Sequence, residues 1–319
     1  MKKLWMILTL VLAIALGGCT QQPRNAFIET NVAYTAVDDV GRTLFFESKP
    51  QHIVSLTYGT DEILTDIVGC KRIESYSRWA GDSEISFITK EQAFTVGRKV
   101  HDNLETILAL HPDLVVASTA TNADLVNSLE AVGVKVYVAR SPHNYHEMRE
   151  KILHLAAAVG ETPKGEEIVR DMDARLQKLE YKLSQLPASQ RRVAVAFNFT
   201  SAMGRRGDLL DSMLTMAHVI NGAAVAEPST GEHGQAAISK EMVVKINPDI
   251  FLLPTWNYDN KQDVQGYAYQ VMNDPAYQNV KAVQNKQLKF VSDKYRYVAS
   301  HHIVEAIEKI ARTVYPEIF

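Results

Sequence analysis

Arginine beside tryptophan is the first pattern in this chain that carries chemistry. Arg78-Trp79 follows a hydrophobic run, and Arg98, Arg205, Arg206 and Arg296 fall in similar breaks between apolar segments. A guanidinium makes paired hydrogen bonds to carboxylates and stacks on flat rings, so these residues suit an anionic, aromatic or chelating small molecule. Tyr58, Trp256, Tyr295 and Tyr297 occupy further breaks and can supply the flat apolar walls of a small-molecule pocket. The plain alternative is that exposed Arg and Tyr are ordinary loop residues. His101, His233, His301 and His302 are metal-ligand candidates, but no zinc or haem spacing joins them. There is no Gly-x-Ser-x-Gly, no phosphate-cradling glycine loop and no His-Glu-x-x-His, and His146-Glu147 lacks the second histidine.

Two copies of one pattern position these breaks. Asn103 to Ser118 and Ser239 to Pro254 align without a gap: a cap-type residue, a Glu, aliphatics, Pro-Asp, then a hydrophobic run. Each copy predicts a short capped helix, a Pro-Asp break and a strand buried on both faces. Around the first copy, strands at 52–57, 72–76 and 134–139 alternate with helices at 61–68 and 123–132, which implies a mainly parallel sheet. Ligands collect beyond the carboxyl ends of such strands, where the loops begin at Tyr58, Arg78 and Ser118. Around the second copy the pattern predicts a strand at 192–199, a helix from Asp208 to His218 ended by Asn221-Gly222, a strand at 288–292, a loop at 293–297 and a last helix at 300–315. A hairpin turning at 39–42 precedes the first copy.

Between the copies lies the longest helical pattern. Ile168, Met172, Leu176, Leu179, Leu183 and Leu186 share one helix face, Thr162 can cap the start, Pro163 suits the first turn and Pro187 stops it. The pattern predicts a stiff spacer between two lobes.

The chain opens with Met1-Lys2-Lys3 and an apolar run too short to span a bilayer, which has the form of a secretion signal. The run ends in Leu16-Gly17-Gly18-Cys19, which resembles the lipobox of bacterial lipoproteins, so Cys19 is the expected acylated anchor. Removing Lys2 and Lys3 leaves 32 basic against 37 acidic residues, a balance of −5 with no basic field for nucleic acid. Only Cys70 then remains besides the anchor, which excludes an internal disulfide.

The order Lys49-Pro50-Gln51-His52-Ile53-Val54-Ser55-Leu56, a helix carrying Glu62, Val96-Gly97, and Asn103-Leu104-Glu105 to Pro112-Asp113 resembles a known family. These are the class III periplasmic binding proteins for ferric siderophores, haem and vitamin B12, and the likeness covers essentially the whole mature chain. It implies an α/β fold of two Rossmann-like lobes with mainly parallel sheets bridged by a single long α-helix. The expected divisions are a signal peptide at 1–18, a tether at 19–31, an N-terminal lobe at 32–140, connecting helices at 141–190 with the interlobe helix at 163–186, and a C-terminal lobe at 191–319. It further implies a substrate-binding lipoprotein of an ABC importer that clamps an iron(III) chelate with a modest hinge motion. Such a protein is not an enzyme, has no intrinsic cofactor or metal, acts as a monomer and meets the membrane through its anchor alone. Tyr58, Arg78, Trp79, Arg98, Arg205, Trp256, Tyr295 and His301 are the expected ligand contacts, with His301 able to complete the coordination of a siderophore-bound iron. The family docks on its permease dimer through one acidic residue per lobe; the matching places hold Asp124, and Asp259 or Asp263, where the family usually has Glu. Cobalamin or haem is the rival ligand, and a cell-surface hydrolase or metal-dependent enzyme is the rival class.

Overall fold

In the computed structural model the described residues are 32–226, 238–257 and 262–319. The Pro-Asp repeat explains how each half is built. The first half runs β1 (Tyr34–Val37), β2 (Thr43–Phe46), β3 (Ile53–Ser55), α1 (Tyr58–Val68), β4 (Ile73–Ser77), α2 (Lys90–Val96), β5 (Lys99–Val100), α3 (Leu104–Leu108), β6 (Leu114–Ser118), α4 (Ala123–Ala131) and β7 (Val136–Ala139). Helices α5 (Tyr145–Ala158) and α6 (Thr162–Leu183) follow. The second half runs β8 (Val193–Phe197), β9 (Ala202–Met203), α7 (Leu209–Met216), β10 (Ile220–Asn221), α8 (Gly222–Val225), α9 (Lys240–Ile246), β11 (Ile250–Leu253), α10 (Val264–Asn273), α11 (Lys281–Gln284), β12 (Leu288–Phe290), α12 (Asp293–Arg296) and α13 (Ile303–Val314).

Within the repeat, Asn103 caps α3 by accepting from the Thr106 amide at 3.0 Å, and Ser239 caps α9 by accepting from the Met242 amide at 3.3 Å. His111 and Asn247 occupy the same place in the two copies, and both take a left-handed φ of 49°. The Pro that follows blocks further helix. The next residue then ties in the neighbouring strand. Asp113 accepts from the Gln51 and His52 amides at 2.6 and 3.0 Å, ahead of β3, and Asp249 accepts from the Val193 amide of β8 at 2.9 Å. One device thus sets the central strand pair of each half.

The resulting sheets are separate. The first has the order β5-β4-β3-β6-β7, all parallel; the second has β10-β8-β11-β12 parallel, with β9 antiparallel to β8. Successive residues of β6 feed opposite layers: Leu114 and Val116 join one apolar cluster, Val115 and Ala117 another. This is why the strand reads as unbroken hydrophobic sequence. The cluster holding Leu114 and Val116 continues through α1, α5, α6, α7 and α13 to Ala194, Ala196, Ile250 and Leu252 of the second sheet. The outer faces keep cores of their own, around Val54 and Leu129 in one half and Phe251 and Tyr277 in the other.

Helix α6 reaches from one half to the other. At its start, Glu161 meets Lys49 at 3.1 Å and Arg72 at 2.8 Å, and a Cβ on Gly165 would lie 2.5 Å from Ala156 Cβ. Toward its end, Arg175 pairs with Glu308 at 2.9 Å and Glu180 with His218 at 3.0 Å. Met172, Leu179 and Leu183 are buried as the spacing predicts, joined by Gly165 and Val169, while Leu176 is only partly covered. Thr162 is the first helical residue rather than the cap; Glu161 holds the cap position without a side-chain bond.

Two further expectations shift. The helix capped by Asp208 stops at Met216, and Asn221 lies in β10, where it bonds Gly204 O and Asp211. The segment expected as a loop after the last strand begins with the helical turn α12. The early hairpin is as expected, with Gly41 at φ 87° and Asp38 accepting from the Val40 and Arg42 amides. Among the described residues no helix is long and apolar enough to cross a membrane.

Candidate ligand cleft

The carboxyl ends of β3 and β4 and those of β11 and β12 meet across the molecule. Beyond β4 the chain from Arg78 to Thr89 reaches over to the other half. Trp256 Nε1 donates to Asp82 Oδ2 at 3.0 Å, Thr255 Oγ1 donates to Glu84 Oε2 at 2.6 Å, and Ser292 Oγ lies 3.3 Å from the same carboxylate. Trp79 packs edge-on against Trp256 with centroids 5.1 Å apart, and the Arg78 guanidinium lies 4.1 Å from the Trp79 ring. Two indoles and a cation thus meet where the halves face each other. Such a set can stack on a flat ligand and offset its negative charge.

Trp256 is positioned from below. Asp293 Oδ2 accepts from the Thr255 and Trp256 amides at 2.9 and 2.8 Å. Its other oxygen takes Arg296 Nε at 2.9 Å and also Arg296 Nη2. Arg296 Nη1 donates to Phe197 O at 2.6 Å, which ties the node to the end of β8. Arg296 is 3% exposed and spends its donors on this scaffold, so it is not a ligand contact.

A second seam lies behind the aromatic pair. Tyr58, at the start of α1, donates from its hydroxyl to Tyr297 O at 2.7 Å, and Lys151 Nζ donates to Ala299 O at 3.0 Å. Glu62 accepts from Ser300 Oγ at 2.5 Å on the far side and from the Phe87 amide at 2.9 Å on its own. Gly59 is required there, since a Cβ would lie 2.5 Å from Ala299 O. Burial raises the Glu62 carboxyl and pushes Asp61 up to about 7, against hydrogen bonds from Ser77 and Ser55 that pull the other way. Burial also pulls Lys151 down to about 8.

The remaining sequence candidates scatter. Arg98 lies 3.6 Å from Glu74, near the amino ends of β4 and β5 and so at the far end of the sheet from the cleft. Arg205 is on an exposed turn whose neighbours bond β10 and α8, at the outer edge of the second sheet. His301 sits 2.9 Å from Asp66, two turns along α1 from the cleft, and holds that carboxyl below its usual range. His302 stacks on Phe87 at 4.1 Å. Tyr295 donates to Glu305 at 3.1 Å and packs edge-on against Phe87, at the border of cleft and seam. Asp124 is exposed in the first turn of α4, and Asp263 caps α10 by accepting from the Gly266 amide at 2.8 Å. Cys19, His233 and Asp259 lie outside the described residues. Among the described residues no group of three or more His, Cys, Asp or Glu could hold a metal ion.

Asp82, Glu84, Asp293 and the Glu62–Ser300 link had no sequence signal tying them across the halves. Only Asp61-Glu62 left a trace. Thr57 already caps that helix, and Asp61 and Glu62 are both buried beside Ile63 and Leu64.

The fold and its cleft can be compared with known proteins. A family model described as periplasmic binding protein matches residues 53–295. The chain belongs to that family. Its members are substrate-binding components of ABC transporters and not enzymes, which sets aside the hydrolase alternative. An ABC transporter substrate-binding lipoprotein of Bacillus subtilis, YvrC, is 23% identical, with 99% of this chain and 98% of that protein covered. A probable siderophore-binding lipoprotein of the same organism, YfiY, is also 23% identical, covering 91% and 90%. Among solved structures, the molybdate periplasmic binding protein MolA of Haemophilus influenzae superposes with a TM-score of 0.72 at 17% identity, covering 90% of this chain and 92% of that one. This binding protein therefore shares the two-lobed α/β fold of its relatives.

Proposed function

We propose that this protein is the lipid-anchored receptor of an ABC importer and captures an iron(III) chelate of the siderophore kind. The Trp79–Trp256 pair with Arg78 over one indole carries the reading, because flat anionic chelates need aromatic walls and a cation. The siderophore-binding name of YfiY supports the same class. Cys19 after its apolar run supports the anchor, as do the lipoprotein names of the relatives. The chelate is cargo, so no resident cofactor is needed.

Titrating the chain with a ferric catecholate, haem and cyanocobalamin while following tryptophan fluorescence tests the ligand. Saturable quenching by the ferric chelate, weakened about tenfold or more in Trp79→Ala, is the expected result. Tighter binding of haem or cobalamin replaces the siderophore by that ligand.

Docking on the permease dimer is assigned to Asp124 and Asp263, which open the helices after the two repeat strands. Asparagine at both positions keeps the Asp263 cap while removing the charges. Chelate uptake into permease-containing vesicles should fall severalfold with affinity in solution unchanged. Unaltered uptake moves the docking site elsewhere.

A further inference from the structure

The hairpin β1–β2 carries apolar surface that the cleft does not use. Its inner face is built into the protein: Ala36 and Phe46 are buried, and the Tyr34 ring stacks on Phe46 at 4.9 Å. The charges of its turn bend inward as well. Arg42 bonds Glu130 and Val136 O, and Asp39 takes Tyr137 and the Arg140 amide. The outward face is left with Thr35 opposite Phe45 and Val37 opposite Thr43, and no charged residue among them. Phe45 is 57% exposed, Val37 52%, and Val40 and Val32 stand open at the turn and the entry. Elsewhere Phe94, Val132 and Tyr181 are exposed at separate places along the chain, as single apolar residues are on any protein. A neutral cluster on one small sheet is a different matter.

We propose that this outward face rests on the lipid surface to which the protein is anchored. The inference depends on Cys19 being acylated. The chain between Cys19 and the hairpin is short: residues 20–32 can span at most roughly 45 Å. Among the described residues the hairpin is therefore the element nearest to the anchor along the chain. Tethering at that range gives an effective concentration on the order of millimolar. A contact too weak to bring a free protein to a membrane is then well populated. Lobe one would thus be held toward the membrane, which narrows the orientations from which the permease receives the cleft.

The test uses the lipidated full chain in vesicles of equal parts phosphatidylglycerol and phosphatidylcholine. Nitroxide labels are placed singly at Phe45→Cys and Thr43→Cys, and at Tyr181→Cys on α6 as reference, in a Cys70→Ala background. Labels at 45 and 43 should show a severalfold higher ratio of oxygen to nickel-chelate accessibility on vesicles, while the label at 181 stays water-like. Adding Val37→Glu should return position 45 to the aqueous value. A water-like label at 45 on the anchored protein overturns the proposal. So does a label already shielded before vesicles are added: dependence on protein concentration would then identify a second copy as the occupant, and independence a segment of the same chain. Mass spectrometry of the native chain reads acylation of Cys19 separately, so loss of the anchor reading is distinguishable from loss of this one.

Discussion

Asp293→Ala is expected to lower the free energy of unfolding by about 3–5 kcal/mol, because it leaves a buried guanidinium without its counter-ion. Asp293 and Arg296 are 2% and 3% exposed, so solvent can neither screen their pair nor replace it. The loss has a second component at the cleft. The amides of Thr255 and Trp256 both end on the deleted carboxylate, and Trp256 faces Trp79. Affinity for the proposed chelate should therefore fall together with stability, although Asp293 itself is buried beneath the aromatic pair. Urea denaturation and fluorescence titration of the same variant check both. A destabilised protein with undiminished affinity would show that Trp256 keeps its place by other means.

Asp61→Asn should remove from the pH dependence of stability the component that falls between about pH 4 and 7. Buried between α1, which carries it, and β4, where Ser77 Oγ donates to it at 2.6 Å, the carboxyl is pushed up to about 7 by loss of hydration. The folded protein therefore holds this proton more tightly than the unfolded chain. The stabilisation that follows is complete below about pH 4 and is lost as the pH rises through about 7. Across that window it amounts to about 4 kcal/mol at most. His302, which burial keeps neutral down to about 3, acts with the opposite sign between about pH 6.5 and 3, so the two contributions overlap. Subtracting the variant's stability curve from that of the parent isolates Asp61. The difference should shrink to nothing or reverse by pH 8. Parallel curves from pH 4 to 8 would mean that Asp61 keeps an ordinary carboxylate pKa.

The fold was legible wherever one local rule decided it. The spacing of Met172, Leu179 and Leu183 fixes a helix face whatever packs on it, and the Pro-Asp repeat reports two strands through chemistry confined to a few neighbouring residues. The short helix α2 escaped notice although Thr89 and Gln92 form a complete capping box, because too few apolar positions follow it to show a period. The candidate cleft was legible only in part. Arg78-Trp79 and Trp256 come together from loops after β4 and β11, as strand-end reasoning anticipates. Arg98 and Arg205 satisfy the same residue-type argument and lie elsewhere, since side-chain chemistry carries no information about which end of a sheet a turn occupies. The clasp of Asp82 and Glu84 on Trp256, Thr255 and Ser292 joins residues more than 170 positions apart, beyond the reach of any periodicity.

The apolar cluster that runs from the hairpin through α6 and α13 into the second sheet gives the molecule a closed spine. Prising the lobes apart along that side would expose buried side chains to water. The Trp256–Asp82 and Thr255–Glu84 contacts at the front give up little, because water can take over each hydrogen bond. Any opening of the cleft is therefore expected to start at that front edge, with the apolar back acting as its hinge.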